Sequence, residues 1–436
     1  MSVDIHKGVD SVNTFLRPYA DALVYGIFMP MYARIKLKTD RTSHHPWIFR
    51  KMIQPPKSRL FPGTAVEVVS RTGTFVGRGF YHPSRTVAIR LLTSNPREEI
   101  DEAFFRVRLR EAKTLRENIL KITAHTDAYR LVHGEGDGLS GLVIDKFGDL
   151  LVVEPYSAGY IPFADTIASI LKELYPTCRV CFRPDARTEQ QEGVSFQSLR
   201  KRYPIPSKAV LKENSLAMEV SLLSGHKTGY FLDQRDNRAL VGELAEHKDV
   251  WDLFCYTGGF AISSALGGAR SVTGVDLDEK ALEVARRNAD QNHVSIDFIH
   301  EDCFDFLRRM EKEQRQADLV IVDPAKLALV REEIPRALRT YNDINRLAMG
   351  RVRTGGILVS CSCSGLVSEG QFLSVLANAA REARVDLQMF RITGASPDHP
   401  IRTDFPEGRY LKVVFSRILR SESFAAPPTL GFHRWA

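Results

Sequence analysis

"DVWDLFCYTGGFAISSAL", residues 249–266, carries the reading of the fold. A mostly apolar run leads into two glycines, Gly258 and Gly259, and continues as a helix rich in small residues. A buried strand, a glycine turn and a helix are the opening unit of a parallel α/β sheet. The pattern repeats downstream. "SVTGVDLD" reads as a strand and "EKALEVARRNADQN" as an amphipathic helix; "SIDFIHED" and "FDFLRRMEKE" repeat the pair. "ADLVIVDPAK" is a strand, the stretch to Val352 is helical, and "GGILVSC" is a strand. Such alternation predicts a doubly wound, mostly parallel, Rossmann-like sheet with helices on both faces. Ligands then bind outside the carboxyl ends of the strands, where every motif below falls.

Upstream the periodicity changes. From about residue 32 to 98, "ARIKLK", "TAVEVVS", "FVGRGFY" and "TVAIRLL" alternate with period two between the turn signals "QPPKS", "FPG", "RTG" and "HPS". That is a small all-β domain. "REEIDEAFFRVRLREAKTLRENIL" reads as one helix, "GLVIDKFGDLLVVEPY" as a hairpin, and "FADTIASILKELYP" as a helix ended by Pro176. The expected division is an N-terminal extension (1–31), the β domain (32–103), a central α+β domain (104–208), the Rossmann-like domain (209–420) and a tail (421–436).

The glycine turn is not G-x-G-x-x-G, so a dinucleotide pyrophosphate and a nicotinamide enzyme are poorly supported. The second strand ends in Asp276, an acid placed for ribose hydroxyls. The third ends in Asp302, placed for an adenine amino group, although it could equally cap the following helix. Glycines, a ribose acid and an adenine-side acid on successive strands suggest S-adenosylmethionine. The cofactor set reads as Phe254, Tyr256 and Gly258 on the first turn, Asp276 and Leu277 on the second, and Asp302 and Cys303 on the third.

"VDPAK" closes the fourth strand at Asp323, and "SCSCSGL" closes the fifth with Cys361 and Cys363. A thiolate and an acid at neighbouring strand tips suit pyrimidine C5 methylation, in which sulfur adds to C6 and makes C5 nucleophilic. Alternation leaves the two thiols equivalent; position at the loop favours Cys363, with Cys361 packing one pleat deeper. Methylation of another RNA or of a base amine, and a non-catalytic RNA-binding role in ribosome assembly, are the alternatives.

Composition sets the surroundings. Of 436 residues, 44% are apolar and 26% charged, ordinary for a globular chain, and no apolar run of membrane-spanning length or signal peptide is evident. Six scattered cysteines imply a reducing, cytoplasmic setting. The lone C-x-x-C at Cys178 and Cys181 lacks the further ligands a structural zinc needs, so no metal is expected. Net charge is +7, yet Arg34 to Arg90 holds twelve Lys and Arg against Asp40 and Glu67. So local an excess points to a polyanion, with Arg50, Lys51, Arg78 and Arg85 as RNA-contact candidates.

These motifs resemble the RlmI-like 5-methylcytosine methyltransferases of large-subunit ribosomal RNA. The likeness is carried in order by "HPWIF" (45–49), "GDGLSGLVIDKFGD" (136–149), "GHKTGYFLDQRDNR" (225–238), "CYTGGFA" (255–261), "DPAK" (323–326), "YNDIN" (341–345), "SCSGL" (362–366), "DHP" (398–400) and "FPEGRYLK" (405–412). The resemblance implies an N-terminal PUA domain that binds RNA, a nucleophile at Cys363 and its acid at Asp323. It also implies a segment from Lys227 to Arg235 that closes over the cofactor, with Gln234 and Arg235 contacting the methionine end. Ala325 and Leu327 depart from the family's D-P-P-K-F. Ribosomal RNA is the implied partner, no membrane is expected, and a homodimer is left open.

Overall fold

The computed structural model describes residues 32–40, 43–223 and 230–420. The expected N-terminal extension, the C-terminal tail and the first residues of the Lys227–Arg235 segment lie outside the described residues.

Strands β1 (Ala33–Lys36), β2 (Trp47–Phe49), β3 (Thr64–Val69), β4 (Phe75–Tyr81) and β5 (Val87–Thr93) form a sheet in the order β1-β3-β4-β5-β2. Their inward residues, among them Ile35, Val66, Val68 and Ile89, share one core. The four longer strands fall on the expected segments, but alternation in burial is clear only in β1 and most of β3; β4 buries five residues in a row, from Gly77 to Tyr81.

Helix α1 (Glu102–Lys113) starts at Asp101, whose carboxylate accepts from the Phe104 amide at 2.9 Å, an N-cap. The single helix expected to Leu120 instead passes into a wider π-turn over Thr114–Ile119. That turn carries Arg116, which is fully buried. Next come β6 (Ala128–His133), β7 (Leu142–Phe147), β8 (Leu150–Pro155), α2 (Ala164–Leu174) and β9 (Arg179–Phe182), with the sheet ordered β6-β7-β8-β9. Cys178 and Cys181 are buried around β9. Helices α3 (Ala186–Glu192) and α4 (Gln197–Arg202) and the hairpin β10 (Lys208–Glu213)–β11 (Leu216–Ser221) complete this region.

The Rossmann-like part runs α5 (Arg235–Leu244), β12 (Asp249–Leu253), α6 (Gly259–Leu266), β13 (Ser271–Asp276), α7 (Glu279–Gln291), β14 (Asp297–His300) and α8 (Cys303–Lys312). It continues with β15 (Ala317–Val322), α9 (Ile334–Arg351), β16 (Val352–Ser362), α10 (Glu369–Ala383), β17 (Asp386–Thr393) and β18 (Lys412–Leu419). The seven strands lie in the order β14-β13-β12-β15-β16-β18-β17. β14 through β16 are parallel, while β18 runs antiparallel to both of its neighbours, β16 and β17. Strand order reverses between β12 and β15, the switch point at which such sheets bind ligands. β18 sets Lys412 opposite Ser362 in register, so the last of the described strands reaches the tip of β16. Among the described residues no helix is long and apolar enough to cross a membrane.

Candidate active site

The cofactor turn leaves β12 in an unusual conformation. Phe254 (φ 63°) and Tyr256 (φ 50°) are left-handed, as is Gly258 (φ 86°). A left-handed non-glycine residue costs roughly 1–2 kcal/mol, so other contacts must hold it. The Tyr256 amide donates to Asp276 Oδ2 at 2.8 Å, and the Phe254 amide to Cys303 Sγ at 3.3 Å. At Gly258 a Cβ would come within 3.2 Å of Phe298 and 3.3 Å of Ala285, so left-handedness and space both require glycine. Beneath the turn, buried Asp252 accepts from the Ala261 amide at 2.9 Å. Burial, reinforced by the nearby Asp323 charge, holds its carboxyl well above the usual range.

Asp276 is the keystone. Its second oxygen accepts from the Asp278 amide at 2.9 Å, so both oxygens are oriented before any ligand arrives. Leu277 beside it is 65% exposed, an apolar surface next to the acid. Asp302 caps α8, accepting from Phe304 and Asp305 amides at 2.8 and 3.3 Å. Cys303 is buried under the turn.

A cavity of about 690 Å³ opens at the switch point. It gathers Phe254, Tyr256, Asp276, Gln234, Asp323 and Cys363 of the sequence-derived set. Gly258, Leu277, Asp302 and Cys303 are not on its wall, although its neighbour Gly259 is. Arg235 requires a correction: it does not line the cavity but is buried, with its guanidinium on Asp398 at 3.0 and 3.1 Å. The opposite wall belongs to the central region, through Glu154, Tyr156, Arg183 and Asp185. Sequence reasoning missed these, and also Asp233 and Tyr410, which share a 2.5 Å hydrogen bond. Tyr410 lies within "FPEGRYLK", a motif that was the available signal.

The two strand tips are joined. Ser364 Oγ accepts from the Leu327 and Ala328 amides at 3.1 and 3.3 Å and lies 3.1 Å from the Tyr341 hydroxyl. Ser362 donates to that same hydroxyl oxygen at 3.0 Å. The serines flanking Cys363 therefore tie its loop to the one after Asp323. Asp323 accepts from Gln234 Nε2 at 3.0 Å, and Gln234 Oε1 accepts from Asn237 at 2.7 Å. Gln234 thus orients the acid. Of the two thiols, Cys361 is fully buried within the sheet core, where burial pushes it well up from an ordinary thiol. Cys363, just past the end of β16, is partly exposed, lines the cavity and lies 3.9 Å from the Pro324 carbonyl.

A profile of the S-adenosylmethionine-dependent methyltransferases matches residues 182–406, and one of the PUA-like domain matches residues 38–94. The ribosomal RNA large subunit methyltransferase I of Pseudoalteromonas atlantica is 36% identical over 396 residues, covering 89% of this chain and all of that protein. The Escherichia coli O139:H28 protein of that name is 36% identical over 379 residues, covering 86% and 96%. The chain belongs to this methyltransferase family. Its fold is shared with the crystal structure of SMU.776 complexed with SAH, at a TM-score of 0.73 and 20% identity over 86% of this chain and 95% of that one. A SAM-dependent methyltransferase from Streptococcus mutans aligns with a TM-score of 0.69, again at 20% identity, over 83% and 93%.

The cofactor of this S-adenosylmethionine-dependent methyltransferase is S-adenosylmethionine. The wall chemistry fits it. Asp233, Asp276, Asp278 and Asp323 line the cavity beside Arg183, Arg187, Arg238 and Lys326, and a wall of both signs suits a ligand that carries sulfonium, ammonium and carboxylate charges.

On the PUA-like domain the four RNA-contact candidates separate. Lys51 is exposed, and Arg50 and Arg85 are partly so. Arg78 is a correction: it is buried, donating to the Pro96 and Glu98 carbonyls and pairing with Glu67 and Glu99. Its charge is spent inside the fold. Among the described residues no cluster of His, Cys, Asp or Glu could hold a metal.

Proposed function

We propose that this methyltransferase forms 5-methylcytosine in large-subunit (23S) ribosomal RNA, with Cys363 as nucleophile and Asp323 as its acid. The observation that carries the reading is the placement of Cys363. Five of the six cysteines are buried; Cys363 alone is partly open, on the wall shared with Asp323 and the cofactor turn.

The chemistry follows from the cytosine ring. Its C5 is too weakly nucleophilic to be alkylated directly. The Cys363 thiolate adds to C6, breaking the C5=C6 π bond and giving C5 enamine character. Asp323, oriented by Gln234 and carrying or sharing a proton, hydrogen-bonds N3 and stabilises the electron density delivered there. S-adenosylmethionine supplies an electrophilic methyl group. Loss of the C5 proton to a base then re-forms the double bond and expels the Cys363 thiolate. Phe254, Tyr256, Gly258, Asp276, Leu277, Asp302 and Cys303 serve the cofactor. The target base must leave its stack to reach a recessed thiol. Lys51, Arg50 and Arg85 offer phosphate contacts. Ribosomal RNA as substrate and six unbridged cysteines favour a cytoplasmic site of action.

The test is bisulfite mapping of 5-methylcytosine in ribosomal RNA from cells with and without the gene, and with a Cys363→Ala allele. One site should lose its methyl group in the last two strains. No change at any ribosomal site would refute the substrate.

A further inference from the structure

Among the buried ionisable groups that the mechanism above does not use, Lys412 stands nearest the thiol's turn. Lys412 is 2% exposed and begins β18. Its ammonium donates to three backbone carbonyls, those of Ser364 at 2.7 Å, Val367 at 2.8 Å and Tyr410 at 2.9 Å. These use all three donors of the group. Every acceptor is neutral, and among the described residues no ion pair includes Lys412. A buried cation without a counter-ion is costly, so what stands near it matters. Two of its acceptors belong to the turn directly after Cys363, and in register Lys412 faces Ser362, directly before it.

We propose that Lys412 is the positioning residue for Cys363: its ammonium pins the turn that presents the thiol and supplies the positive charge against which the thiolate forms. This rests on the reading of Cys363 as nucleophile.

The surrounding charges support it. Burial pushes the Lys412 ammonium down to about 8, and the strongest opposing influence is the negative charge on Cys363, followed by Glu369. Glu369 is engaged by Arg409 at 2.6 Å, and Lys326 acts in the opposite sense from the facing loop. Around the thiol, Asp323 faces it across the strand tips, and Tyr410 and Tyr341 flank it. Before the base binds, an ionised Asp323 would oppose a thiolate, and a cation offsets it. Coupling is mutual, so the thiolate that Lys412 favours also keeps Lys412 charged.

The experiment is alkylation of the full-length protein by iodoacetamide across pH 5–10, with modification at Cys363 read by peptide mass spectrometry. Wild-type Cys363 should ionise well below the ordinary thiol value of ~8.5. In Lys412→Met its ionisation should move up by about one pH unit, with alkylation at pH 7 slowed roughly 10-fold. The acidic limb of the methylation rate should move with it, while S-adenosylmethionine affinity holds. An unchanged alkylation profile in Lys412→Met overturns the proposal. If that variant does not fold, the wild-type profile decides: ionisation at or above ~8.5 overturns it, and ionisation clearly below supports it. Retention of methylation by Cys363→Ala would defeat the nucleophile reading separately, leaving the alkylation result to judge Lys412.

Discussion

Asp276→Asn isolates the physics of the cofactor turn. The wild-type carboxylate accepts one backbone N–H on each oxygen, from Tyr256 at 2.8 Å and Asp278 at 2.9 Å. Asparagine is nearly isosteric but keeps one acceptor; its NH₂ must face the other amide, donor against donor. One charge-assisted bond, worth ~1.5–3 kcal/mol, is lost outright. The residue most exposed to that loss is Tyr256, held at φ 50° at a cost of roughly 1–2 kcal/mol. Without its tether the turn relaxes toward an ordinary conformation, and cofactor binding must restore it. Affinity for S-adenosylmethionine should therefore fall about 10- to 100-fold, even before any ribose contact is counted. Isothermal titration calorimetry measures this, with thermal unfolding as the control for global damage. An Asp276→Asn protein that binds within about two-fold of wild type would refute the claim that this acid holds the turn.

Asp302→Asn should leave thermal stability unchanged, because Asn caps a helix as well as Asp; any accompanying loss of cofactor affinity then reports a direct adenine contact. Cys361→Ser should retain most methylation in a tritium-transfer assay, and Cys363→Ser should lose it; equal losses would remove the distinction drawn from burial. Arg238→Met should cost about 3–5 kcal/mol in urea unfolding, since it strands buried Glu213, now paired at 2.6 Å. His133 gives the pH dependence. Burial, with the nearby His399, Arg130 and Arg116 charges, holds its folded-state value well below the usual one. The unfolded chain then binds the extra proton, so stability should fall as pH drops below ~6.5, by up to about 1.4 kcal/mol per pH unit. Urea midpoints at pH 7 and 5.5 should differ less in His133→Gln.

The strand–helix alternation, the glycine turn and the acids at the strand tips were legible because each is local. A buried strand followed by Gly258 and Gly259 needs no tertiary context to be recognised, and tip position separated Cys363 from Cys361 before any coordinates. The antiparallel pair β17–β18 was not legible, since nothing local dictates which neighbour a strand takes. Glu154, Tyr156 and Arg183 reach the cavity from a different sheet, a proximity no spacing encodes. Arg78 and Arg235 show the limit of counting charge. Composition registers a guanidinium, whereas burial against Glu67, Glu99 or Asp398 decides whether it faces a partner or the interior.

Arg116 has a wider meaning. From its π-turn it bonds the Asp398 carbonyl at 2.7 Å while gripping Asp137, and Asp398 in turn accepts from the Arg130 amide at 2.8 Å and from Arg235. The two bonds that cross between the regions, Arg116 to the Asp398 carbonyl and the Arg130 amide to the Asp398 carboxylate, each have one charged partner, so opening either leaves that charge poorly paired in a dry interior. These bonds join the region that carries Glu154 and Arg183 to the Rossmann-like part, and favour a cleft whose width is set when the chain folds. Such a cleft behaves as a fixed gauge. The work of exposing a base falls on the RNA, and a naturally unpaired loop should pass where a stable duplex does not.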